Sequence, residues 1–86
     1  MKIIRYTVKD ENGIHARPAG VIVNQSKKFK SSIIAKCKDK TADCKKLFSV
    51  MALGALSGDL LTIEITGDDE CEAEEKIIES LSEAQL

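Results

Sequence analysis

Residues 3 to 8 place Ile4, Tyr6 and Val8 in alternation with Ile3, Arg5 and Thr7, the two-residue period of a half-buried strand. From Ala16 to about Phe29 the period changes, and Ala19, Ile22, Val23, Ser26 and Phe29 recur at three- and four-residue spacing, as on one face of a helix. A chain that switches period in this way must lay helices against a sheet. The switch then repeats. Ser32–Cys37 (SIIAKC) reads as a strand, Lys38-Asp39 as a turn, and Lys40–Asp43 as a short partner strand. Lys46–Leu53 fits a short helix stopped by Gly54, because glycine accepts a left-handed helix end at little cost. Leu61, Ile63 and Ile65 alternate with Thr62 and Glu64 in a fourth strand, after a Ser57-Gly58-Asp59 turn. Gly67-Asp68 leads into a last helix, where Asp69 and Glu72 resemble a capping box and Ala73, Ile77 and Leu81 form the buried stripe, with Ile78 beside it.

The resulting order is β-α-β-β-α-β-α, an α+β chain with a four-stranded, largely antiparallel sheet and all helices on one face. One-sided alternation in the first and last strands leaves the other sheet face open. The 86 residues make one domain, 1–86, with too little interior for two cores. No apolar run approaches the ~20 residues that span a bilayer, and MKIIRYTVKDE turns polar too early for a secretory signal, so a cytoplasmic protein is expected. Three cysteines, Cys37, Cys44 and Cys71, form no CxxC, and one histidine cannot complete a common zinc set, so no metal and no cofactor are expected. Cys37 and Cys44 could face each other across the hairpin.

The formal net charge of −1 argues against a dedicated nucleic-acid binder, as does the shortage of aromatics for base stacking, two Phe and one Tyr. The charges are nonetheless segregated. Lys27, Lys28, Lys30, Lys36, Lys38, Lys40, Lys45 and Lys46 crowd the middle, whereas Glu and Asp dominate the last twenty residues.

The only histidine sits in NGIHARPAG. It follows the Asn12-Gly13 turn and precedes the first helical residues, and Pro18 falls in the first turn, where a missing N–H costs nothing. His15 is therefore expected at or near the N-cap of the first helix. The amides of Ala16 and Arg17 would point toward whatever the imidazole carries, and a helix N-terminus favours anions. The same positive end disfavours imidazolium, leaving a neutral, nucleophilic ring. Arg17 adds a charged fork suited to phosphate oxygens. A neutral imidazole beside an anion pocket is what reversible N-phosphorylation needs. The competing reading is a His that merely caps a helix, with Arg17 in solvent.

GIHARPAG, the seven-element order and KKLFSVMALG after the hairpin together resemble the HPr family, histidine-containing phosphocarriers of the phosphoenolpyruvate-dependent sugar phosphotransferase system, over essentially the whole chain. The resemblance implies an open-faced β-sandwich. It implies that His15 takes a phosphoryl group on Nδ1 from phosphorylated enzyme I and passes it to sugar-specific IIA components, with Arg17 and the helix-start amides at Ala16 and Arg17 steadying it. The second helix would then border the active loop, and Leu47, Phe48 and Met51, together with Gly20 and the basic Lys27 and Lys45, would form a docking surface for these partners. Many members carry a regulatory serine where this chain has Lys46, so serine-linked control is not expected. An alternative from the same resemblance is a regulatory module that binds transcription factors or metabolic enzymes. A carrier that presents one exposed histidine is most simply a monomer.

Overall fold

The computed structural model describes residues 1–86. Its elements are β1 (Lys2–Thr7), α1 (Ala16–Ser26), β2 (Ser32–Cys37), β3 (Lys40–Asp43), α2 (Leu47–Ala52), β4 (Leu60–Thr66) and α3 (Glu70–Glu83), in the expected β-α-β-β-α-β-α order. The strands form one sheet in the order β1-β4-β2-β3, every neighbouring pair antiparallel. Register explains the one-sided core. Ile4 pairs with Ile63, and Ile63 pairs with Ala35, so one row of inward side chains runs across three strands.

That inward row meets Ala19, Ile22 and Val23 of α1, Val50 of α2, and Ala73, Ile77 and Leu81 of α3 in a single apolar cluster. On the other sheet face Ile3, Arg5, Thr7 and Lys36 are exposed, and Lys36 Nζ lies 3.2 Å from Glu64 Oε1. This is an open-faced sandwich, as expected. Burying apolar surface on one face only, at about 25 cal/mol per Å² removed from water, is enough to fix the register, since a one-residue slip would turn Ile63 and Ile65 outward.

Four expectations change. Helix α1 ends at Ser26 rather than near Phe29, because the amides of Lys28 and Phe29 donate to Gln25 and Ser26, three residues back, and tighten the chain into a turn. Helix α2 is shorter by one residue at each end, with Lys46 and Leu53 as its caps, and Gly54 follows in the left-handed region at φ +64°. Asp69 is the N-cap of α3 but makes no capping bond within it. Instead its carboxylate accepts the amides of Lys30 (2.8 Å) and Ser31 (3.0 Å) and the Ser31 hydroxyl, tying α3 to the start of β2. Cys37 and Cys44 do not face each other. Cys37 pairs with Lys40, whereas the Cys44 amide donates to Ile33, four residues away along β2, or about 13 Å. Both thiols are buried and unpaired, and burial, then the Asp43 carboxylate, pushes Cys44 up to about 12.

Candidate phosphoryl-acceptor site

The segment between β1 and α1 is built around Asp10. Its amide donates to the Leu86 carbonyl (2.7 Å), its carbonyl accepts from Gly13 (2.9 Å), and Oδ1 accepts the Asn12 amide (2.9 Å). Gly13 is left-handed at φ +65°, and a Cβ there would come within 2.2 Å of the Ala55 carbonyl oxygen. Ile14 donates to that same oxygen at 3.0 Å. The loop is thereby seated against the stretch that follows α2, and only glycine allows this approach.

His15 is the N-cap of α1, with extended backbone and a carbonyl that accepts from Ala19 at 3.0 Å. Its side chain is 38% exposed. The Ala16 and Arg17 amides have no acceptor within the chain, as first-turn donors usually do not, and Pro18 has none to offer. The imidazole does not stand alone. Nε2 lies 3.2 Å from Oδ2 of Asp10, a residue that reads in the sequence as plain loop. The Asn12 amide first, and then the ring, hold the Asp10 carboxyl below the usual carboxylate range.

Arg17 carries one of the two free amides, but its side chain is engaged elsewhere. Its Nη2 donates to the Ala84 carbonyl at the end of α3, 2.8 Å away. Gly20, one turn further along α1, has open space where a Cβ would be. On α2, Phe48 is 82% exposed and Leu47 36%, whereas Met51 packs partly against the core and Val50 is the buried member. Lys46 is exposed at the helix start, and Lys45 is half-buried with its amide on Asp43 Oδ1 (2.9 Å). Lys27 caps the far end of α1, about 18 Å along the helix from His15. No group of His, Cys, Asp and Glu side chains could hold a metal ion. No helix is long and apolar enough to cross a membrane.

Residues 3–83 match the family model described as the PTS HPr component phosphorylation site. The phosphocarrier protein HPr of Lysinibacillus sphaericus is 37% identical over 86 residues, covering 100% of this chain and 98% of that protein. Among solved structures, a histidine-containing phosphocarrier protein from Mycoplasma superposes with a TM-score of 0.97 at 29% identity, covering 99% of this chain and 97% of that one. The Bacillus subtilis catabolite repression protein Crh, described as a swapped dimer, superposes at 0.75 with 30% identity, over 94% of this chain and 93% of that one. Fold, sequence and the His15 loop agree, and the chain belongs to the HPr family of phosphocarrier proteins of the phosphotransferase system.

Proposed function

We propose that the chain is a cytoplasmic phosphoryl relay, loaded on His15 by phosphorylated enzyme I and unloaded by IIA components of sugar permeases. The observation that carries this reading is His15 at the N-cap of α1, partly exposed, with the unpaired amides of Ala16 and Arg17 beside it. In the loading step the imidazole lone pair forms a bond to phosphorus as the donor's bond to phosphorus breaks, and that electron pair stays with the donor. The amides and the helix dipole stabilise the phosphoryl oxygens where charge accumulates. Arg17 adds its charge by exchanging the Ala84 carbonyl for a phosphoryl oxygen. With no second histidine and no cluster of metal-ligating side chains in the chain, each partner supplies the rest of the active site.

The exposed Phe48 and Leu47, with Met51 beside them and Lys45 and Lys46 at the margin, suit brief contacts with acidic partners. Gly20 lets a partner's backbone come close. Lys46 puts a fixed positive charge where a regulatory serine would carry a negative one. Likeness to Crh favours a second reading, a regulatory binding module. A two-stage relay assay separates the two. Protein labelled from phosphoenolpyruvate by enzyme I is purified and mixed with a IIA domain. Movement of the label to IIA supports the carrier. Label that never loads, together with partner binding that survives His15→Ala, supports the regulator.

A further inference from the structure

We propose that Asp10 is a positioning residue for His15, holding the ring as the Nε2–H tautomer so that the Nδ1 lone pair faces an incoming phosphoryl group. Nε2 and Oδ2 are 3.2 Å apart. An ionised carboxylate only accepts hydrogen bonds, so the nitrogen facing it must be the one that carries hydrogen. The other ring nitrogen then keeps its lone pair. The carboxylate is itself held in place. Asn12 occupies Oδ1, Gly13 the carbonyl, and Leu86 the amide, so Oδ2 is the oxygen left for the ring. Its side chain is only 15% exposed, against 38% for the histidine, so the ring is supported on one edge and open on the other. When Nδ1 bonds to phosphorus, Nε2 keeps its proton and the ring becomes cationic, with the Asp10 carboxylate already beside the new charge. The electron pair of the broken bond leaves with the donor. No further acid or base is required.

The transfer step rests on the carrier reading, whereas the tautomer does not. Phosphoramidate serves as the probe, because it phosphorylates imidazole directly, releases ammonia and needs no docked protein. Two variants separate positioning from loop support. Asp10→Asn keeps an oxygen for the Asn12 amide but turns an NH2 donor toward the ring, which demands a lone pair on Nε2 and favours the wrong tautomer. Asp10→Ala loses the turn and leaves the ring unbiased. Ring 15N chemical shifts should show Nε2–H in the parent and a shift toward Nδ1–H in Asp10→Asn. Phosphorylation rates should fall about five-fold in Asp10→Ala and at least about ten-fold in Asp10→Asn, with phosphoramidate and with enzyme I alike. A structural role in the loop would reverse that order, sparing Asn and harming Ala, and would overturn the proposal, as would an unchanged tautomer. Loading by phosphoramidate in the predicted order, with none from enzyme I, would uphold Asp10 and remove the carrier reading.

Discussion

Arg17 Nη2 donates to the Ala84 carbonyl across 2.8 Å, joining the first turn of α1 to the end of α3. The guanidinium next to the His15 loop is thus parked on a helix C-terminus, where a cation is favoured. Arg17→Ala should slow phosphoryl transfer by roughly 10- to 100-fold without abolishing it, since the amides remain. It should cost about 1 kcal/mol of stability through the lost bond. Stopped transfer kinetics beside thermal unfolding would check both, and an unchanged rate would remove Arg17 from the mechanism.

Gly13 is held against the Ala55 carbonyl in a conformation that side chains rarely adopt. Gly13→Ala should therefore destabilise the protein by about 2 kcal/mol or more, a fall in Tm of about 10 °C for a chain of this size. Scanning calorimetry measures it. A Tm within a degree of the parent would mean that the loop moves freely away from the 55–59 stretch.

Gly20 behaves oppositely. Nothing lies within 4 Å of where its Cβ would sit, so the fold itself does not require glycine there. Gly20→Ala should raise stability by up to about 1 kcal/mol, or about 4–8 °C. If the open space serves a partner, loading by enzyme I should slow while loading by phosphoramidate does not. Equal rates with both donors would mark Gly20 as incidental.

Acid should weaken the fold through Asp10, Asp59 and Asp69. Asn12, Leu56 and Ser31, in that order, supply the leading hydrogen bonds that hold these carboxyls below the ordinary range, with Lys38 3.2 Å from Asp59 adding to its shift. A lowered folded value means stability that is complete above the unfolded value of about 3.9 and is lost as pH falls through the folded one. Urea midpoints should be level from neutrality to about pH 5 and drop below about pH 4. Asp69→Asn should be destabilised at pH 7 and converge on the parent in acid. A midpoint that rises on acidification would contradict this.

Much of this structure was legible locally. Period changes placed all seven elements, and Pro18 together with the Asn12-Gly13 turn placed His15 at the helix start. The cysteines were not placed this way: Cys37 pairs with Lys40 across the Lys38-Asp39 turn, and Cys44 lies near Ile33 instead of opposite Cys37. Three contacts were not legible, each because it depends on distant or unusual backbone. Arg17 and Ala84 are 67 residues apart, and Asp69 reaches Ser31 across 38, so local motifs suggested a free fork and a capping box instead. Asp10 and His15 are only five apart, but their meeting depends on the left-handed Gly13 that folds the loop back. Phe29 extended the helical stripe because a half-buried turn residue can prolong a pattern after its hydrogen bonds have changed.

The most direct test is intact-mass spectrometry after incubation with phosphoenolpyruvate, magnesium and a bacterial enzyme I, with His15→Ala alongside. The account predicts one acid-labile phosphoryl group on the parent and none on the variant, whose fold should be unaltered because the side chain is partly exposed at a helix start. A phosphoryl group on the variant, or none on the parent with several enzyme I homologues, would contradict it.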